Sequence, residues 1–132
     1  MYKQVYLKRG KEDSLLRFHP WIFSGAINKI EEGLEEGDIV RVMTHDNKFI
    51  AIGHFQIGSI AVRVLSFHDV AIDDEFWENR LRAALLVRCS IGVVREQGDE
   101  IRPYPNTTYR LVHGEGDNLP GLVIDVYGKT AV

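Results

Sequence analysis

The sequence predicts a mixed α/β chain: a small β-barrel-like unit, then a linking helix, then the opening β-hairpin of a second unit. Three observations predict it. Short alternating segments with frequent turns fill the first half, helically spaced apolar residues follow Asp73, and extended segments broken by glycine-rich turns fill the rest. The 132 residues are 45% hydrophobic and 27% charged, enough apolar matter for a packed core under an ordinary soluble surface. The expected boundaries are 1–68 for the barrel-like domain, 69–97 for the linker and helix, and 98–132 for the start of the next domain.

Taken in order, residues 3–8 alternate, with Val5 and Leu7 on one face, as in a half-buried strand. A loop over 9–13 follows. Pro20 suits the first turn of a short helix, where its missing N–H costs nothing, and Ser24-Gly25 would end that helix. Ile39–Met43 reads as a strand. His45-Asp46-Asn47-Lys48 turns it back, since Asn47 tolerates left-handed angles. Phe49–Phe55 is the return strand, and Ile60–Leu65 alternates again with Ile60, Val62 and Val64 inward. Asp73 is placed to cap a helix. Trp77, Leu81, Ala84, Leu85 and Arg88 then repeat at helical spacing, to about Gly92. Beyond Gly98 the chain turns extended. Tyr109–His113 and Leu122–Tyr127 read as strands around a turn-rich loop, and Thr130-Ala131-Val132 begins a third. A sheet with so few strands has not buried its face, so the second domain is expected to be incomplete. Its unpaired edges would invite chain-to-chain pairing, hence a possible homodimer.

The apolar runs fall well short of the ~20 residues that span a bilayer, and no apolar h-region follows the first charges. The single cysteine, Cys89, excludes an internal disulfide and fits a reducing, cytoplasmic setting. The formal net charge of −3 argues against a nucleic-acid partner, but the charge is unevenly spread. Residues 1–30 hold six cations against two acids, and residues 31–60 hold two cations against six acids. A basic amino-terminal patch thus coexists with an acidic total; its bland reading is a solvated face.

Several residue sets resemble a known family. Phe18–Ile27 (Phe-His-Pro-Trp-Ile-Phe-Ser-Gly-Ala-Ile) is similar to a signature of the PUA domain in bacterial rRNA methyltransferases, as is the run ending Val62-Arg63-Val64-Leu65-Ser66. Tyr109–Leu122 resembles the start of the middle domain of the large-subunit rRNA cytosine-C5 methyltransferases. The resemblance covers essentially the whole chain. It implies a PUA-type β pseudo-barrel that binds rRNA, and a parent protein that is an S-adenosylmethionine-dependent transferase. The family's glycine motif for the cofactor and its catalytic cysteines have no counterpart here. This chain is therefore expected to be a non-catalytic amino-terminal fragment with no cofactor of its own.

Each candidate for chemistry has a plainer alternative. Gly114-x-Gly116 with Gly121 lacks the strand–helix setting and spacing of a dinucleotide loop, so a sharp turn with Pro120 and Gly121 is expected. Glu115 and Asp117 would need a pocket to work as an acid/base pair; stabilising the turn is the plainer role. Cys89, inside a helix, is expected to be inert, although a cytosine-C5 methyltransferase needs a thiolate to attack C6. The five histidines show no metal-ligand spacing. The serious candidates for RNA contacts are Lys8, Arg9, Lys11, Arg17, His19 and Arg63. RNA modules combine cations for phosphate with flat side chains for unpaired bases. Trp21 and Phe23 are read as core. Arg80 and Arg88 would extend the basic track or pair with acids. The reading is a binding module for rRNA. The alternatives are a protein-interaction or dimerisation module of PUA-like fold, and a small autonomous enzyme, for which neither pocket nor cofactor motif is found.

Overall fold

The computed structural model describes residues 1–97, 100–103 and 108–132, with side chains described outside 95–107. It divides into two units, Met1–Ala71 and Ile72–Val132.

The first unit runs β1 (Lys3–Leu7), α1 (Asp13–Leu16), β2 (Trp21–Phe23), a 3-10 turn (Ser24–Ala26), β3 (Ile27–Ile30), β4 (Ile39–Met43), β5 (Phe49–Phe55) and β6 (Ile60–Ser66). The strands form one six-stranded sheet in the order β2-β6-β5-β4-β1-β3. Only the β1–β4 pairing in it is parallel. Alternation in β1 and β4 sends Val5, Leu7, Val40 and Val42 inward, where they meet Leu15, Ile22, Ala51, Val62 and Val64. Burying such side chains supplies the main favourable term, roughly 1.5–3 kcal/mol each. β6 departs from simple alternation: Ala61, Val62, Val64, Leu65 and Ser66 are all buried, and Ile60 is only half-buried. Residues pointing to both faces of β6 are thus buried, and a strand covered on both faces carries consecutive apolar residues. The expected turn at 45–48 is present, with Asn47 at φ 63°.

Residues 18–23 correct the sequence reading. Pro20 starts no helix; the helix lies earlier, at Asp13–Leu16. Phe18 takes a left-handed φ of 61° and reverses the chain, its ring edge-on to Phe67 at 5.2 Å. Trp21–Phe23 then pairs antiparallel with β6, Ile22 opposite Val62. Proline is as well suited to the entry of an edge strand as to a helix start, because neither needs its N–H. Here its carbonyl accepts the Val64 amide at 2.7 Å. The sequence reading also passed over β3, whose residues are half-buried or exposed and so carry little apolar alternation.

The second unit runs α2 (Asp74–Ser90), β7 (Val94–Gln97), β8 (Glu100–Pro103), β9 (Thr108–His113), a 3-10 turn (Gly114–Asp117), β10 (Val123–Tyr127) and β11 (Thr130–Ala131). β7 and β8 pair as a two-stranded sheet, and β11-β10-β9 form a three-stranded one. The Asp73 side chain accepts the Phe76 amide at 2.9 Å and caps α2, as its position suggests. The helix ends at Ser90, with Gly92 at φ 78° just beyond. Ala84 packs with Val112 and Leu119, and Trp77, Leu81, Leu111 and Ile124 close around them. β7 falls inside the segment read as linker and helix; the expected change at Gly98 lies outside the described residues.

Candidate nucleic-acid interface

A strand places alternate side chains on opposite faces. With Ile22 buried in the core, Trp21 and Phe23 must share the other face. Trp21 is half-buried and Phe23 is 50% exposed. Neither is the core residue expected. His19 joins them: its ring lies 6.0 Å from Trp21, nearly perpendicular, and 6.4 Å from Phe23. Trp21 and Phe23 are themselves 6.5 Å apart and edge-to-face. The His19 Nδ1 accepts the Trp21 amide at 3.2 Å, which ties the imidazole to the start of β2. Reading 21–23 as a strand would have revealed the exposed pair. The helical reading of Pro20 concealed it.

Arg63 faces Trp21 across the β2–β6 ladder. Its guanidinium carbon stands 5.5 Å from the centre of the indole ring, and its Nε donates to the Gln56 side-chain oxygen at 2.7 Å. A guanidinium over an aromatic face is held by the ring quadrupole. Arg63 is thus engaged with Trp21 and Gln56, and it supports the aromatic set as well as adding charge to it. Gln56 was missed in the sequence. It lies seven residues from Arg63 and across a strand turn, and no local pattern marks such a pair.

Lys8, Arg9, Lys11 and Arg17 are all exposed, and among the described residues none of them forms an ion pair. The Lys8 amide bonds to the Ala26 carbonyl at 2.8 Å, and the Lys11 amide to the Lys8 carbonyl at 3.1 Å. These bonds fold the 8–12 loop back towards the 3-10 turn after β2. Lys11 shares an open groove of about 340 Å3 with Trp21 and Phe23. Arg17 closes α1, two residues before His19. Three other basic residues of this unit are engaged: Lys3 meets Asp38 and the Gly33 carbonyl, Arg41 meets Asp69 at 2.6 Å, and Lys48 meets Asp46 at 3.1 Å, whereas Lys29 is exposed on β3. The Asp46 carboxyl falls to about 2, chiefly because the Thr44 hydroxyl and then Lys48 hydrogen-bond to its charged form.

In the second unit the proposed basic track does not form at Arg88. Its two terminal nitrogens bind the two Asp117 oxygens, each at 2.7 Å, and its Nε donates to the Arg110 carbonyl at 3.0 Å. The side chains are 14% and 5% exposed. Asp117 also accepts the His113 amide at 2.6 Å. The Arg88 guanidinium holds the Asp117 carboxyl below the usual carboxylate range. Asp117 therefore fastens the turn and is no partner in acid/base work. Arg80 lies over the Phe76 ring at 4.9 Å. The 114–121 segment is a 3-10 turn closed by Leu119 donating to the Gly114 carbonyl, with Asn118 at φ 57° and Gly121 at φ 79°. Its buried Leu119 joins the core, so the loop is packed as a strand connection. Cys89 is half-buried in α2. Among the described residues no His, Cys, Asp and Glu side chains gather as a metal site, and no helix is long and apolar enough to cross a membrane.

Residues 5–67 match the family profile of a PUA-like domain. The chain is 37% identical over 131 residues to ribosomal RNA large subunit methyltransferase I of Klebsiella pneumoniae, covering 98% of the chain and 30% of that protein. It is 40% identical over 134 residues to the protein of the same name from Aeromonas hydrophila, covering 100% of the chain and 32% of the relative. The chain thus spans about a third of the length of these relatives. A SAM-dependent methyltransferase from Streptococcus mutans shares the fold with a TM-score of 0.72 at 16% identity, over 99% of this chain and 32% of that one. A methyltransferase complexed with SAH does so with a TM-score of 0.73, also at 16% identity, over 99% and 31%. Residues 5–67 form a PUA-like domain, and the whole chain is similar to part of ribosomal RNA large subunit methyltransferase I.

Proposed function

We propose that this chain is the RNA-binding region of an S-adenosylmethionine-dependent methyltransferase that forms 5-methylcytosine in large-subunit rRNA. The observation that carries the reading is the first unit's exposed surface. Among the described residues Lys8, Arg9, Lys11 and Arg17 are exposed and form no ion pair, Lys11 shares a groove with Trp21 and Phe23, and the partly exposed His19–Trp21–Phe23 set is braced by Arg63. The relatives are named for large-subunit ribosomal RNA, which supports the choice of polymer. The cations neutralise phosphates, and phosphate contacts give affinity and orientation while carrying little sequence information. S-adenosylmethionine would supply the methyl group. The residues described here hold the RNA, and the methyl transfer belongs to sequence of the parent protein that these residues do not span. On this reading the setting is cytoplasmic, where ribosomal RNA is available, and domain boundaries near 68 and 97 separate the RNA module, the linking helix and the middle domain.

The test is a filter-binding titration of rRNA fragments at several salt concentrations. Affinity is expected to fall steeply as salt rises, and Arg9→Ala with Arg17→Ala is expected to weaken binding. Salt-independent binding, or none, overturns the reading. Unchanged affinity in the double variant removes both arginines from the interface.

A further inference from the structure

The groove beside β2 brings the exposed rings and a cation to one place. Its lining includes Lys11, Ser14, Trp21, Phe23 and Gly25, and no acidic side chain. We propose that this groove receives a single unpaired nucleobase of the bound RNA, packed against Trp21 and Phe23, with Lys11 on an adjoining phosphate. The proposal rests on the RNA-binding reading above and adds to it the form of RNA that is read, a splayed base and not a continuous duplex.

Four features carry it. The ring faces of a base are hidden in a duplex stack, so only an extruded or single-stranded base can use an aromatic wall. The wall is already organised: Arg63 holds the indole from one side while Gln56 holds Arg63, and His19 is tied by the Trp21 amide. A prepositioned wall loses little freedom when the base arrives. The volume of about 340 Å3 sits at the small end of the roughly 300–1,000 Å3 typical of ligand pockets, which suits one nucleotide and not a helix. Finally, a Cβ added at Gly25 meets nothing within 4 Å, so the space beside this residue is open. The apolar groove along α2 offers Trp77 and Leu81, but its cation, Arg82, is ion-paired with Glu78 at 2.6 Å and Asp74 adds a negative charge, a lining less suited to a polyanion.

Gly25 also supplies the test. Its backbone does not occupy the left-handed region and it lines the groove, so Gly25→Leu adds bulk at the groove without strain while sparing every cation and ring. The 132-residue chain is titrated with a short RNA hairpin bearing an unpaired pyrimidine loop, and with the same hairpin whose loop nucleotides lack bases. Base–aromatic stacking predicts about tenfold tighter binding of the intact loop. Gly25→Leu, checked for folding by circular dichroism, is expected to abolish that ratio and to keep the salt dependence. Trp21→Ala is expected to do the same. Equal affinity of the wild-type chain for both hairpins overturns the base site and leaves RNA binding standing, as does a tenfold ratio that survives a folded Gly25→Leu. Failure of both hairpins to bind overturns the RNA-binding reading, and the base site with it.

Discussion

Gly53 lies where β5 shifts register against β6. A Cβ there would run into the Arg63 carbonyl and come within 2.7 Å of a Val62 methyl. The carbonyl belongs to a paired strand and cannot swing away. Gly53→Ala is therefore expected to lower stability by about 1–3 kcal/mol, the usual cost of overpacking, read from the midpoint of urea unfolding. The same residue shows how a strand that supports Trp21 depends on a missing side chain. Without close approach at Gly53, the β6 backbone that carries Arg63 would have to move, and the guanidinium with it. At Asp46 the expected result is titration at about 2, followed by NMR. Thr44→Ala should raise that value, since the Thr44 hydroxyl is the largest cause of the shift.

Among the elements, α2 offers two separable tests. Asp73→Ala removes the cap that accepts the Phe76 amide and should cost about 1 kcal/mol in thermal unfolding. Asp117→Asn breaks the bidentate pair that joins α2 to the turn after β9. Removing one partner of a part-buried pair weakens the hold on the other charge, a loss of about 1–3 kcal/mol at neutral pH, below the range for fully buried pairs because solvent reaches the site. The sign of the pH effect follows from the depressed Asp117 carboxyl. Its stabilisation is present above the ordinary carboxylate value and is lost as the pH falls through the lower folded-state value. Acid unfolding of the wild-type chain should therefore include a step that Asp117→Asn lacks. Equal acid limbs for the two chains would show that the pair contributes nothing.

For the whole molecule, the net charge of −3 hides the arrangement that matters. Among the described residues, acids in the first unit neutralise Lys3, Arg41 and Lys48, and leave Lys29 on β3 and the group of Lys8, Arg9, Lys11 and Arg17 without an ion pair. Each neutralised phosphate contributes roughly −0.7 to −0.9 to the slope of log affinity against log salt. Four contacts thus predict a slope of about −3, and the Arg9→Ala/Arg17→Ala variant should flatten it by about half. Calorimetry of this chain with S-adenosylmethionine is expected to show no binding heat if, as proposed, methyl transfer belongs to other sequence of the parent protein; a saturable heat would overturn that division of labour.

Much of this was legible along the chain. The strands at 39–43, 49–55 and 60–66, the left-handed Asn47 and the Asp73 cap all follow from local rules: side-chain periodicity, turn chemistry and capping act between residues a few positions apart. The resemblance to rRNA methyltransferases rested on contiguous runs of residues as well. What lay beyond the sequence was decided by distant partners. Trp21–Phe23 became a strand because β6 offered a free edge some forty residues away, and that pairing turned two presumed core rings outward. Of the two roles open to Arg88, the acid partner prevailed over the basic track because Asp117, 29 residues on, met it in a nearly buried site. Local chemistry sets which elements form. Pairing and burial between remote segments set which faces, and which charges, remain for a ligand.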